Sequence, residues 1–228
     1  MTAKLAASAT FAAIGLACIV AAFWIHVKAF AAQVLINSAW ERARNGAADT
    51  RPWPWADTTP VARITFHNWK SMVVLEGSSG RNLAFAPSHD AASVLPGEPG
   101  NSVISAHRDT HFHGLRHTRL GDGIRVERAD GRTYLFTVSD IRVVDSRRVR
   151  LALDGDPSRL TLVTCYPFDA IQPGGPLRFV VTANLSEPRS AVAGLSLDGL
   201  SLYGYAPPRR VARAAALPRP VPFEGLYR

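Results

Sequence analysis

Cysteine is almost absent from this chain, with two residues in 228, Cys18 and Cys165. That scarcity excludes a disulfide-stapled scaffold and a cysteine-rich zinc module, both of which need thiols in pairs or clusters. No internal repeat is present, which excludes a solenoid or propeller. Lys and Arg outnumber Asp and Glu 26 to 18, for a net charge of +8. The basic residues are nevertheless single arginines scattered among aliphatics, with no dense stripe and no aromatic-interleaved motif. This pattern argues against a nucleic-acid partner and fits an anionic membrane surface nearby.

One stretch does lack charge altogether. From Leu5 to Val27 there is no Asp, Glu, Lys or Arg, and Lys4 and Lys28 bracket the run. About 20 apolar residues cross a bilayer, so the spacing predicts one transmembrane helix. A signal peptide has a shorter apolar region, which favours retention over cleavage, although Ala29-Phe30-Ala31 offers small residues to a processing enzyme. Gly15 stands where a lipid-modified Cys18 would need an aliphatic neighbour, so Cys18 reads as a small membrane-buried residue. The flanking charges leave the orientation open.

Apolar residues continue at helical spacing to Gly46, and "ADTRPWPWADTTP" then breaks all regularity. This linker is expected to dock Trp53 or Trp55 onto the folded domain beyond it. From Val61 the pattern changes to short apolar runs separated by Gly, Pro, Asn and Asp: "VARITF", "SMVVLE", "SVISA", "GIRVER", "RTYLFTVSDIRVV", "RLTLVT" and "LRFVVTA". Such a series predicts an all-β sandwich or barrel. Beyond Asn184 the chain is rich in Pro and Arg, and is expected to be extended apart from one short helix around Val211 to Leu217. The resulting division is 1–28 anchor, 29–50 juxtamembrane helix, 51–184 β-domain and 185–228 tail.

With Cys18 in lipid, Cys165 has no partner for a disulfide and is either inert or functional. Side chains alternate along a strand, so in "RLTLVTC" Leu160 and Leu162 take the core while Thr161, Val163 and Cys165 face outward. In "LRFVVTA", Leu177, Phe179 and Val181 claim the core, which leaves Arg178 and Val180 outside. If the two strands pair, Arg178 lies near Cys165. A thiol with a free pKa near 8.5 needs activation, and an arginine both stabilises the thiolate and holds an oxyanion. For the missing acid or base the candidates are His67, His89, His107, His111, His113 and His117. The best placed is His107, closing "NSVISAH". The four imidazoles from His107 to His117 have no HExxH spacing, so no metal site is expected.

At this point "TLVTC", Arg178 on the next strand and His107 opening "HRDTHF" resemble the sortases, cysteine transpeptidases with a Thr-Leu-X-Thr-Cys signature. The likeness runs through "GNSVISAHRDTHF", "LRHTRLGDGIRV" and "LVTCYPFDAIQPGGPLRFVV", about Arg51 to Asn184, and looks closest to the single-span sortases of proteobacteria. Ala106 departs from the glycine that many sortases have before the histidine. The resemblance implies an eight-stranded barrel with an outer groove and catalysis by Cys165, His107 and Arg178. Ser105, Val163, Thr164 and Val180 are expected to line the groove. It also implies no cofactor, an LPxTG-like sorting signal on a secreted protein as substrate, an amine as acceptor, and a periplasmic domain held by one inner-membrane span.

Three other readings remain at the sequence level. A cysteine peptidase would use the same dyad and release an acid. An L,D-transpeptidase would carry His-Gly upstream of the thiol, where "LVT" stands instead. A membrane-tethered binding barrel would tolerate loss of Cys165.

Overall fold

The computed structural model describes residues 2–66, 70–77, 79–155, 157–172 and 174–186. The expected helix near Val211, nearly all of the tail and His67 lie outside these residues. Helix α1 spans Thr2–Arg44 without a break and includes a 35-residue stretch, Thr10–Arg44, apolar and long enough to cross a membrane. It ends in a glycine stop. Gly46 has φ +73°, its N–H donates to Ala43 C=O at 3.1 Å, and Ala47 N–H reaches back to Arg42 C=O at 3.0 Å. These bonds satisfy carbonyls that the helix leaves open, and the left-handed conformation is one that glycine adopts without steric penalty.

The second half of α1 is not free. Ala32, Ile36, Ala39 and Trp40 recur at helical spacing and are buried, Ile36 and Trp40 against Val73, Leu75 and Ala86. Arg63 lies over the Trp40 ring at 5.4 Å and donates to Asn37 Oδ1, while Gln33 donates to Phe85 C=O at 2.7 Å. The docking explains why Met72 to Leu75 is continuously apolar. Met72 and Val74 face the barrel interior, and Val73 and Leu75 face the helix. Trp53 also packs here, edge-on to Phe85 at 5.2 Å, whereas Trp55 is 80% exposed.

Eight strands follow: β1 Pro60–Phe66, β2 Ser71–Glu76, β3 Ser88–His89, β4 Asn101–Ser105, β5 Gly123–Arg128, β6 Thr133–Asp145, β7 Arg159–Cys165 and β8 Leu177–Leu185. They close into a barrel in the order β1-β2-β3-β4-β7-β8-β6-β5, in which β2–β3 and β4–β7 are parallel and the other pairs antiparallel. The β6 strand pairs with β5 through its first residues and with β8 along most of its length, and a register shift between Val138 and Asp140 lets it serve both. Inward side chains including Ile64, Val74, Ile104, Phe136, Leu160, Leu162, Phe179 and Val181 fill the interior. The fold is therefore the expected all-β eight-stranded barrel behind an apolar N-terminal helix. The strand absent from the sequence reading is β3, whose two residues carry no periodicity. Besides α1 there are, among the described residues, a one-turn helix, Gly80–Leu83, and a 3-10 helix at His113–His117.

Candidate active site

Three neighbouring strands end at the same side of the barrel and carry the expected residues on or just beyond their ends. On the β7–β8 ladder, Cys165 stands directly opposite Arg178. Residues opposite each other on an antiparallel pair have Cβ atoms about 4.5–5.5 Å apart. On the other side, β4 runs parallel to β7 with Ser105 beside Val163, and the Ala106 N–H donates to Val163 C=O at 3.2 Å. His107 follows two residues beyond that pair, past the end of β4, as Cys165 follows two residues beyond it at the end of β7. The end of β4 that leads into His107 therefore adjoins the end of β7 that carries Cys165, with Arg178 on the far side.

Cys165 and Arg178 are half-buried at the barrel rim, and His107 is exposed. Arg178 is fixed from behind, where its Nη1 donates to the carbonyls of Gly175 at 2.6 Å and Leu177 at 2.9 Å. These bonds hold the guanidinium close to the strand end that it shares with the thiol. Val163 and Val180 pair across β7 and β8 two residues back from Cys165 and Arg178, so they share the outer side of the ladder with that pair. Val163 is half-buried, and so is Ser105 at its side on β4.

Thr164 departs from the expectation that it lines the groove. It has the parity of Leu160 and Leu162, is 2% exposed, and donates its hydroxyl to Ala106 C=O at 2.7 Å. Its place is between the strands, where it ties the residue before Cys165 to the residue before His107. Two residues of outward parity are covered as well. Thr161 bonds Asn101 Oδ1 at 2.7 Å, and Asn101 in turn holds Ala152 C=O of the β6–β7 connection, so that loop folds over this end of the outer face. Val180 is 7% exposed without belonging to the interior cluster.

The remaining histidines separate by environment. His89 is 2% exposed and fully engaged by Glu76, Ser93 and the Val94 carbonyl. His111 has its pKa lowered to about 4 by burial first, then by the charges of Lys70 and His107. With Thr110 it lines a cavity of about 530 Å³ whose other wall is Ile25, Lys28, Ala29 and Phe30 of α1. His113 and His117 are exposed on the 3-10 helix. Among the described residues no three His, Cys, Asp or Glu side chains converge as metal ligands.

One buried charge escaped the motif reading. Arg108 follows His107 and is only 7% exposed. Its Nη1 donates to Pro167 C=O at 2.6 Å, its Nη2 to Ala170 C=O at 2.7 Å and its Nε to Asp109 at 3.1 Å. Parity was the available signal. If Ser105 and His107 face out, Ala106 and Arg108 face in, and an inward arginine at a strand end must find partners. Beside it, Arg116 lies over the Phe168 ring at 5.1 Å, on a cavity of about 310 Å³ that Tyr166, Pro167 and Phe179 also line.

A family model described as a sortase domain matches residues 63–186, more than half of the chain. Sortase D of Bacillus subtilis (strain 168) is 28% identical over 109 residues, which are 47% of this chain and 54% of that protein. The chain thus spans about half the length of the curated relative it matches. Among solved structures, sortase A from Corynebacterium diphtheriae superposes with a TM-score of 0.53 at 25% identity, covering 60% of this chain and 65% of that one. Listeria monocytogenes sortase A gives 0.50 at 22% identity over 56% of this chain and 88% of that one, a likeness of fold alone.

Proposed function

Because the chain belongs to the sortase family, whose members are cysteine transpeptidases, we propose that it is a membrane-anchored transpeptidase with Cys165 as its nucleophile. The observation that carries this reading is Cys165 opposite Arg178 on the β7–β8 ladder, with His107 two residues past the last pair of the adjoining β4. The Cys165 thiolate attacks the Thr-Gly carbonyl of an LPxTG-like sorting signal. Arg178 donates to the oxyanion or to the peptide carbonyls that flank it. As the tetrahedral intermediate collapses, the C–N bond breaks and His107 protonates the departing amine, leaving a thioester on Cys165. An incoming amine then gives its proton to His107 and attacks the thioester. The new amide leaves and the thiolate returns, so no oxidant, metal or cofactor enters the balance. Val163 and Ser105 form the groove wall.

In this reading α1 is a single inner-membrane span, the barrel lies in the periplasm, and the enzyme is of the single-span proteobacterial kind. The apolar helix supports anchoring. The test is intact-mass spectrometry of the full chain with an LPxTG-type peptide and an added amine. The expected result is a thioacyl adduct on Cys165 that the amine converts to a peptide–amine product, with neither species formed by Cys165→Ala. An acid product in the presence of amine would make the protein a peptidase, and an adduct on the Cys165→Ala protein would overturn the nucleophile.

A further inference from the structure

We infer that Arg108 is a positioning residue that sets the distance between His107 and Cys165, an assignment that rests on the catalytic reading of those two. The β4 and β7 strands stop at the catalytic site, and beyond it each chain leaves the barrel as a loop. The β4–β7 ladder ends with the Ala106 bond to Val163 and does not reach past it to hold the two loops together. Arg108 supplies that hold. Its backbone is one peptide from His107, and its guanidinium grips Pro167, two residues past Cys165, together with Ala170. Below the site, the Thr164 hydroxyl makes the corresponding tie to Ala106. The site is therefore braced on both sides, once by a hydroxyl between strands and once by an arginine between loops. The His107 carbonyl accepts from Phe112 N–H at 3.0 Å, and Phe112 is fully buried against Phe66, which roots the histidine loop in the core.

A purely structural role explains this arrangement poorly. Burying a guanidinium is unfavourable unless its donors are satisfied, and a leucine or methionine would close the barrel end without that requirement. What an aliphatic side chain lacks is direction. The planar fork reaches two carbonyls of the nucleophile's loop at 2.6 and 2.7 Å and so fixes where that loop lies relative to the histidine. Lysine keeps the charge and grips one carbonyl, so it substitutes in part.

Rates of peptide acylation, with an LPxTG-type peptide as probe, decide the matter in the full chain for wild type, Arg108→Gln, Arg108→Lys, His107→Ala, Cys165→Ala and the doubles with His107→Ala. A displacement near 1 Å costs roughly 10²-fold in rate. Arg108→Gln is expected to lose that factor in kcat with KM unchanged, and Arg108→Lys to recover part of it. In the His107→Ala background the Arg108 substitutions should cost nothing more, because there is no histidine left to place. Should Arg108→Gln fail to fold by circular dichroism, the Arg108→Lys cycle carries the same test. Wild-type kcat in a folded Arg108 variant, or an undiminished loss on top of His107→Ala, overturns the brace while Cys165→Ala remains inactive. Unchanged acylation in Cys165→Ala would overturn the catalytic reading and the brace with it.

Discussion

Replacing Arg178 by lysine separates two things that an arginine beside a thiol can do. Both residues carry one positive charge, so a purely electrostatic role survives the exchange. The geometry does not. Nη1 of Arg178 is taken up by the carbonyls of Gly175 and Leu177, and among the described residues Nε and Nη2 have no acceptor. They are the edge that can turn to an oxyanion while the other edge stays fixed. A lysine ammonium has no such division, since anchoring it to the Gly175 carbonyl draws it away from the thiol and releasing it to the substrate frees the chain end. Deleting one oxyanion donor typically lowers kcat by about 10² to 10³, or about 2.7–4 kcal/mol, and that is the loss expected for Arg178→Lys. The fold should barely respond, because the side chain is half-buried and its neighbours Leu177 and Phe179 still pack inward. A change of about 1 kcal/mol corresponds to about 2–4 °C in Tm for a chain of this size. Thioacyl formation by rapid quench, with Tm by calorimetry, provides both readouts. Turnover within a few-fold of wild type would refute the donor role and leave only the charge.

Trp40→Ala should remove about 3–5 kcal/mol from the docking of α1 on the barrel, the usual range for a fully buried large aromatic, and hydrogen exchange at Val73 and Leu75 should accelerate. The folded-state pKa of His111, about 4, lies below the ordinary 6.5 of the unfolded chain, so the unfolded state binds more protons between those values. Its contribution to stability is full above pH 6.5 and is lost as pH falls toward 4; His111→Gln should flatten that part of the Tm–pH curve, and parallel curves would refute it. Alkaline phosphatase fused after Asn184 should be active in a Gram-negative host, and an intact but inactive fusion would reverse the proposed topology.

Much of this was legible in the residues. β2 and β5 match the candidate strands "SMVVLE" and "GIRVER" end to end, and the chain turns after them at Gly77 and Gly131, both at positive φ. The Cys165–Arg178 pairing followed from parity and adjacency alone. What escaped was decided by tertiary context. β3 has two residues and exists only because β2 and β4 leave a gap for it. Thr161 has outward parity and is covered by the β6–β7 connection, whose path no local pattern encodes. Thr164 was legible by parity, since it alternates with Cys165 and Val163 and shares the side of Leu160 and Leu162, but its place in the signature drew it to the groove.

The unbroken course of α1 has one more consequence. With its apolar half in a bilayer, only about one turn, roughly 6 Å, separates Lys28 from Ala32, the first buried residue of the helix among those described. On that reading, the described residues leave no flexible tether between the span and the barrel. Thr110 and His111, on the loop that begins with His107, share a cavity with Ile25 and Lys28, so the histidine end of the site stands at ground level. If α1 is the anchor proposed above, an enzyme mounted in this way would search a plane and meet only what is presented close to the lipid surface. On the proposed function, it would select substrates by the height at which they carry the scissile bond as well as by the sequence around it.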